Sequence, residues 1–257
     1  MQNRAEGKNF VPLNIDKDNC KVVNNVLTKC NDYYNKDLII PKGVMVLDRF
    51  SITSLYSTEL IVPMSVEVIR RNAVAYASKI TKLYIENPEI YLEVESLVGF
   101  LNLKEIYIGG ERVDTVVTQK DGEKISVYLE KYVGNDKSYS IDNDIQAIGE
   151  KAFLNRSNLE SVEIPSSVKT INSNAFKDCV SLKEINIPES VRNIWGWAFE
   201  NCYGIGELTI PRSVDYLGIE AFKGWRRNQI IRVPSHLKRI KFKQRWRKGC
   251  NAKMIYY

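Results

Sequence analysis

The chain has 257 residues, of which 44% are hydrophobic and 26% charged, and its formal net charge is +6. These values are those of an ordinary soluble protein, so they exclude a disordered chain and allow one elongated domain with a sizeable core. No apolar run is long enough to cross a membrane, and none resembles a signal peptide. The sequence therefore predicts a cytoplasmic protein; a cell-surface or secreted location is expected only of a truncated chain, and a virion is an alternative.

The first predicted element is a helix within residues 16–35. Apolar side chains recur there at spacings of three and four, from Cys20 through Leu27 to Tyr34, and Asp16 or Asp18 stands where a helix is capped. We expect residues 1–40 to form a capping segment whose amphipathic helix covers the open apolar end of the following array. A helix that binds a partner is the alternative.

A repeated pattern begins at Ile40 in a degraded form. The pair Ile40-Pro41 returns as Val62-Pro63, and the run from Leu103 to Ile108 repeats the residue types of the run from Leu182 to Ile187. Apolar residues alternate with polar ones at the end of each run, which predicts a short strand. Counting the units by these closing strands predicts nine coils over residues 41–257.

One coil carries extra residues within 109–140, because the interval from Ile108 to Ile141 is longer than the regular period. Apolar and polar residues alternate on both sides of Asp121-Gly122, from Val113 to Val117 and from Ile125 to Leu129, which predicts a β-hairpin. Such an insertion either contributes binding specificity or is tolerated without a role.

The pattern is regular from Ile148 to Ile240. The pair Ala152-Phe153 returns as Ala175-Phe176, Ala198-Phe199 and Ala221-Phe222, and Pro165 returns as Pro188, Pro211 and Pro234. A fixed period of this length predicts a solenoid, because one unit has too few apolar positions to enclose a core alone. Each proline lacks a backbone donor and ends a short strand, and the segment Trp197 to Phe199 is predicted to be a tight helical turn.

One period reads I-P-x-S-V, then A-F, then C, then L-x-x-I, as at Ile187-Pro188, Ser190-Val191, Ala198-Phe199, Cys202 and Leu208. This pattern resembles the bacterial BspA-like leucine-rich repeats. The resemblance implies a mainly β solenoid with short helical turns, a single leucine-rich-repeat-like stack of about nine coils. Many relatives with this repeat are surface or secreted proteins, but the resemblance implies no particular function.

Catalytic chemistry has no candidate residues in this sequence. His236 is the single histidine, and there is no metalloprotease, serine-hydrolase or phosphate-loop motif. Acidic residues show no pairing beyond the spacing of the repeat itself. We therefore expect a non-enzymatic protein without metal, cofactor or small-molecule substrate, with His236 as a solvated loop residue.

Five cysteines occur, and free thiols are favoured. Cys179 and Cys202 occupy the same column of adjacent coils, which would bring them within disulfide distance. The resemblance implies that this column uses small cysteines for packing, the number of cysteines is odd, and a signal peptide is missing. Cys20 and Cys30 are expected to share the apolar side of the predicted helix.

Two columns of outward residues are predicted to line the sheet. One begins with Tyr84 and Tyr107, and both continue with acidic and amide groups. Since tyrosine offers a large contact area at low entropy cost, the columns predict a protein-binding surface. Its predicted residues are Tyr84, Tyr107, Glu163, Glu184, Asn186 and Glu207. A solvated sheet with two packed tyrosines is the alternative.

The C-terminal end, residues 223–257, holds twelve Lys and Arg and no Asp or Glu, whereas residues 1–222 sum to −6. Trp225, Phe242 and Trp246 are interleaved with these charges. The segment is suited to phosphates, an anionic membrane or an acidic protein. Its predicted anion-binding residues are Arg226, Arg227, Arg239, Lys241, Lys243, Arg245, Trp246, Arg247 and Lys248. A polar outer face on the final coil is the alternative.

These features together predict a non-enzymatic protein that binds a macromolecule, with another protein as the first expectation. Nucleic acid or another anion at the basic C-terminal end is the second. A structural role in a larger assembly such as a virion is the third.

Overall fold

The computed structural model describes residues 15–17, 19–31, 38–54, 56–120, 126–239 and 245–257. Within these ranges the chain winds into a three-sided solenoid of about nine coils, so the predicted single, mainly β stack is confirmed. Each coil places one short strand on a first face, another on a second face and a run of turns on a third face. Since one coil is only one strand thick along the axis of the solenoid, each coil must bury its apolar residues against the neighbouring coils.

The first face consists of the strands that precede the recurring Pro corner or pair in register with such strands. They are β6 (Glu59–Val62), β9 (Lys82–Ile85), β11 (Glu105–Ile108), β15 (Ser138–Ser140), β17 (Ser161–Glu163), β19 (Glu184–Asn186), β21 (Glu207–Thr209), β23 (Ile230–Val233) and β24 (Lys253–Tyr256). Within each of its three sheets, β6 to β11, β15 to β19 and β21 to β24, neighbouring strands pair in parallel, and equivalent residues of successive coils lie side by side, as Tyr84 does with Tyr107. The alternation of residues therefore creates straight outward columns along the axis.

The second face is built from shorter strands. They are β4 (Val46–Leu47), β7 (Val68–Ile69), β10 (Tyr91–Leu92), β14 (Ser126–Tyr132), β16 (Ala147–Ile148), β18 (Thr170–Ile171), β20 (Asn193–Ile194) and β22 (Tyr216–Leu217). In most of the two-residue strands the second residue points into the core, and Leu47, Ile148 and Ile171 are fully buried.

The third face consists mainly of turns, with the short strands β5 (Ile52–Thr53) and β8 (Val74–Ala75) in the first coils. One residue with positive φ recurs at the start of this face in seven of the coils: Phe50, Asn72 and Glu95, then Lys151, Asn174, Trp197 and Glu220. The predicted helical turn at Trp197 to Phe199 is wrong, because a left-handed residue interrupts a right-handed helix. Described helical segments are limited to the 3-10 helices Ser235–Arg239 and Arg245–Arg247.

A stack of phenylalanine rings fills the core of the regular coils. Phe153, Phe176, Phe199 and Phe222 are fully buried. Their rings are nearly parallel, with successive centroids 4.9, 5.3 and 5.8 Å apart. The alanine before each phenylalanine is also buried, which lets the turns of adjacent coils approach closely.

The N-terminal segment is not the predicted helix. Residues 15–17 and 19–31 contain three antiparallel strands, β1 (Ile15–Lys17), β2 (Cys20–Val23) and β3 (Val26–Asn31), and β3 pairs in parallel with β4 and β5. Asn24 and Asn25 both have positive φ, which is the conformation of a tight hairpin turn and incompatible with a helix. The segment still covers the first coil, but Tyr34 of the predicted helix lies outside the described residues.

The cysteines divide into two classes. Cys20 and Cys30 lie opposite each other on β2 and β3 and form a disulfide, so the expectation that all five are free was wrong for this pair. The hairpin of β2 and β3 places the two cysteines opposite each other, whereas the predicted helix would not have paired them. Cys179, Cys202 and Cys250 are free. Cys179 donates a hydrogen bond to the Phe153 carbonyl at 3.1 Å, and burial raises the pKa of its thiol to about 12.

The insertion contains the antiparallel strands β13 (Thr115–Lys120) and β14, preceded by β12 (Glu111–Val113), which pairs antiparallel with β11. Val116 and Thr118 face inward, while Val117 is exposed. Ile125 of the predicted alternation lies outside the described residues. Because β12 occupies the free edge of β11, the first face is interrupted between β11 and β15.

The hairpin also shortens the third face of its own coil. Tyr128 pairs with Ala147, and Ala147 pairs in turn with Thr170, one regular period further on. The interval from Tyr128 to Ala147 is shorter than the interval from Ala147 to Thr170, so the third face of this coil has fewer residues. Some backbone groups of the preceding coil therefore lack the backbone partners that the next coil usually provides. Two adjacent buried side chains of β14, Glu130 and Lys131, take the place of those partners.

This contact between Glu130, Lys131 and the preceding coil is called the seam below. The Glu130 carboxylate accepts hydrogen bonds from the backbone N–H groups of Glu95 at 2.9 Å and Leu97 at 3.2 Å. Lys131 Nζ donates to the carbonyls of Phe100 at 3.1 Å and Lys151 at 3.2 Å. Desolvation raises the pKa of Glu130 and lowers the pKa of Lys131 to about 7. The buried apolar residues accordingly form two clusters, one on each side of the seam.

Candidate binding surfaces

Four apolar side chains form a continuous column at the N-terminal end of the first face. Ile39 pairs with Ile61, Ile61 with Tyr84, and Tyr84 with Tyr107. Ile39 is 74% exposed and Ile61 54% exposed, and the two tyrosine rings stack with centroids 4.9 Å apart. With about 4.8 Å between strands, this apolar strip is roughly 15 Å long.

Charged residues border the apolar strip. On one side, Lys82 lies between Glu59 and Glu105, with its Nζ 3.5 Å from a Glu59 oxygen. The Glu105 carboxylate is the main cause that raises the pKa of Lys82, and it also accepts a 2.8 Å hydrogen bond from the Tyr107 hydroxyl. At the Ile39 end the strip opens into a depression of about 580 Å³, whose rim includes Lys42 and Glu86.

The predicted columns are thus in register within each sheet, but the first face is divided into three sheets, with breaks between β11 and β15 and between β19 and β21. Arg112 of β12 lies opposite Tyr107, so the apolar strip does not continue directly into Ser140 and Glu163. Beyond the interruption an acidic patch begins, formed by Glu163, Glu184 and Glu207 with Asn186 beside them. Glu163 accepts a 3.0 Å hydrogen bond from Ser140, and Glu207 forms an ion pair with Arg232.

The basic residues of the C-terminal end lie on different sides of the solenoid. Arg226 and Arg227 follow the third face of one coil, and the 3-10 helix containing Arg245 lies on the third face of the next. Lys248 forms an ion pair with Glu220 at 3.2 Å, and Arg247 donates to the Tyr256 hydroxyl at 3.3 Å. The guanidinium of Arg226 lies 4.2 Å from the centre of the Tyr203 ring. Part of the positive charge of the C-terminal end therefore already interacts with other groups of the protein.

The tryptophans interleaved with these charges are core residues. Trp225 is fully buried and its indole N–H donates to the Phe199 carbonyl at 2.8 Å. Trp246 is 4% exposed and packs edge-on against Phe222. The prediction that Trp246 contacts an anion is therefore wrong, because its ring closes the phenylalanine stack. Lys241, Phe242 and Lys243 lie outside the described residues, as does the Arg239 side chain.

His236 takes the place of a repeated serine. Its Nε2 is 2.8 Å from the Val214 carbonyl, and Ser190 and Ser213 donate to the equivalent carbonyls of Val168 and Val191 at 2.7 and 2.8 Å. Across the described part of the chain, no cluster of His, Cys, Asp and Glu is arranged to hold a metal ion. None of the helices in that part has the length and hydrophobicity required to cross a bilayer.

Two solved structures of bacterial proteins are similar in fold to this chain. The pneumococcal vaccine antigen PcpA matches 81% of this chain with 20% identity and a TM-score of 0.58. A leucine rich cell surface protein from Faecalibacterium prausnitzii matches 89% with 19% identity and a TM-score of 0.50. The chain spans 59% and 63% of the lengths of these two structures. At such low identity the likeness establishes the fold alone.

Sequence comparison with curated proteins finds no match. The family model for the BspA type leucine rich repeat region, in contrast, matches six copies over residues 6–117 and 123–249. These ranges include both the regular coils and the degraded ones, as well as the apolar strip. The chain belongs to the BspA-type leucine-rich repeat family.

Proposed function

We propose that this chain is a non-enzymatic repeat protein that binds another protein through its first face, with the apolar strip at the centre of the contact. The observation that carries the proposal is the exposure of Ile39 and Ile61 in register with the stacked Tyr84 and Tyr107. Single exposed apolar residues are ordinary, but a contiguous column of them marks an interaction surface.

The position of the strip supports this function. Three of its four side chains stand on paired strands and Ile39 on an isolated parallel bridge, so their spacing is held by backbone pairing before any partner arrives. A rigid contact surface loses little conformational entropy on binding, and tyrosine and isoleucine contribute mainly apolar area. The polar residues at its sides, Glu59, Lys82 and Glu105, would form the solvated rim that surrounds such contacts.

Peptides selected from a random display library on the immobilised full-length chain provide the probe. Ile61→Ser combined with Tyr84→Ser should weaken their binding by about tenfold or more, because large side chains at the centre of a contact supply most of its affinity. The affinity is measured by fluorescence polarisation with a labelled peptide.

Tyr76→Ser combined with Val180→Ser is the matched control, since it removes one exposed tyrosine and one exposed aliphatic residue away from the first face. Circular dichroism verifies that both double variants are folded. Equal affinity for the wild type and both variants, or a selection that yields no binder, would contradict the proposal.

Anion binding at the C-terminal end is a second candidate function. Arg227 and Arg245 are exposed, and neither forms an ion pair with another described residue. Retention on heparin should then be lost steeply with added salt, and Arg227→Glu with Arg245→Glu should lower the eluting salt concentration. Passage of the wild type through heparin at about 50 mM salt without retention would exclude this candidate.

A further inference from the structure

The first face has a charge opposite to that of the whole chain. On the first-face strands from β6 to β21, the outward charged residues are the five carboxylates Glu59, Glu105, Glu163, Glu184 and Glu207 and the ammonium group of Lys82. Arg112 of β12 and, at the C-terminal end of the face, Arg232 and Lys253 add three more cations. Five carboxylates thus stand against four cations on this face, whereas the formal net charge of the chain is +6. The long-range field of the protein thus favours acidic partners, but this face favours a basic one.

Two of the three carboxylates of the acidic patch, Glu163 and Glu184, form no ion pair with another described residue. Glu163 accepts a hydrogen bond from the Ser140 hydroxyl, which carries no charge. Glu184 forms no ion pair with any described cation, and it is exposed beside Asn186. By contrast, Glu207 is matched by Arg232 and Glu59 by Lys82. Glu163 and Glu184 are therefore the positions where a cationic group from outside would find an unmatched charge.

We infer that the partner of the first face is an extended, basic segment of another protein, whose apolar side chains occupy the apolar strip and whose Lys or Arg side chains reach Glu163 and Glu184. This inference rests on the proposed function and specifies its partner. The strip and the patch lie on one face, and from Ile39 to Asn186 they cover roughly 30 Å, the length of about ten residues in extended conformation.

The two parts of the face contribute differently to such a complex. Exposed ion pairs add little affinity, since solvent and salt screen them, so the apolar strip supplies most of the binding. The unmatched carboxylates accelerate the encounter and discriminate against acidic segments, which they repel. The chemistry therefore predicts a contact that tolerates many apolar residue types but requires positive charge at one end.

The same peptide selection tests the inference through a different readout. Selected sequences should contain apolar residues together with an excess of Lys and Arg. Glu163→Lys combined with Glu184→Lys should weaken binding of the selected peptide by about tenfold at about 50 mM NaCl, and the difference should shrink at about 500 mM NaCl because salt screens the charges.

Glu67→Lys combined with Asp215→Lys is the control, because it changes the net charge equally at exposed positions next to second-face strands. Selected peptides that are neutral or acidic would overturn the inference, as would equal affinity of both double variants. If the Ile61 and Tyr84 variant alone loses binding, the proposed function stands and the inference fails. If neither the strip nor the patch variants lose binding, the proposed function fails as well.

Discussion

The coils before and after the seam follow the same backbone course with different core residues. After the left-handed residue that begins the third face, the C-terminal coils bury Phe153, Phe176, Phe199 and Phe222, whereas the N-terminal coils bury Ile52, Val74 and Leu97 at the same place. The shape of the coil therefore does not depend on the aromatic stack. It depends on the positions of the strands and of the left-handed residue, and the rings add packing to a path already defined.

The seam differs from both sets of coils. Elsewhere the third-face N–H groups pair with backbone carbonyls of the next coil, as Phe176 does with Ala198 at 2.8 Å. At the seam, the carboxylate of Glu130 accepts them instead. The contact between the two halves thus includes two buried ionisable side chains, beside the hydrogen bonds that Asn155 and Arg156 donate to the carbonyls of Leu101 and Leu103.

Glu130→Ala should have the largest effect. It leaves the N–H groups of Glu95 and Leu97 without their acceptor and removes the negative charge that favours the protonated form of Lys131, and each buried polar group left unpaired costs about 1–3 kcal/mol. We expect a loss of roughly 3–6 kcal/mol and separate unfolding of the two halves, seen as two transitions by calorimetry. Glu130→Gln keeps one acceptor oxygen and should lose less. A single unshifted transition in Glu130→Ala would contradict this account of the seam.

Phe176→Ala should destabilise the C-terminal half by about 3–5 kcal/mol, because its ring is stacked between two others and the cavity cannot close. Val74→Ala, its counterpart in the N-terminal half, should cost about 2 kcal/mol, since it removes fewer buried methyl groups. Urea unfolding followed by circular dichroism measures both. Equal losses would show that the phenylalanine stack adds nothing beyond ordinary apolar burial.

The pH dependence of stability should reveal the titration of the buried Lys131 side chain. Its pKa is about 7 in the folded protein against an ordinary value of 10.5, so above pH 7 the unfolded chain binds a proton that the folded chain does not. Stability should therefore rise from about pH 7 to about pH 8.5, by at most about 2 kcal/mol. Below pH 7 both states hold this proton and the contribution is constant.

Lys131→Met provides the comparison, because it removes this titration and keeps a side chain of similar length. Glu130 acts in the opposite direction from about pH 4.5 upward, since its pKa is raised and the folded state retains the proton longer. Measurements stay below the ordinary cysteine pKa of 9.0, above which the buried thiols also contribute. The same rise between pH 7 and pH 8.5 in wild type and Lys131→Met would assign it to another group.

His236→Ser should have the smallest effect, because serine makes the corresponding hydrogen bond at Ser190 and Ser213. His236→Ala should lose about 1 kcal/mol, the net contribution of one hydrogen bond. Thermal unfolding compares the two variants. A greater loss in His236→Ser than in His236→Ala would show that the histidine has a role other than that of the repeated serine.

The sequence was sufficient to predict the stack, its nine coils and the register of Tyr84 with Tyr107, because a fixed period places equivalent residues side by side. It also contained a signal against the predicted N-terminal helix. Asn24-Asn25 between two apolar runs is typical of a hairpin turn, and it competed with an apolar spacing that fits a helix equally well. At the other end of the chain, Trp225 stands one full period after Cys202, so the repeat alone already predicts that its side chain is buried.

Other features depend on the folded arrangement and have no local signal. Glu130 and Lys131 look like surface residues at the end of a strand, and their burial follows only from the shortened third face beside them. Arg112 interrupts the first face because β12 turns back on β11, which periodicity does not reveal. Trp246 stands one position beyond a full period after Phe222, so the regular register does not assign its ring to the phenylalanine stack.

The distribution of tryptophan has a spectroscopic consequence. All four tryptophans, Trp195, Trp197, Trp225 and Trp246, belong to the coils after the seam, and two of them are buried in the core of those coils. Intrinsic emission excited at the red edge of the indole band therefore reports on the C-terminal half alone, whereas far-ultraviolet circular dichroism follows the strands of both halves. Tryptophan emission thus follows the C-terminal half separately in a single sample, without any dye or added residue.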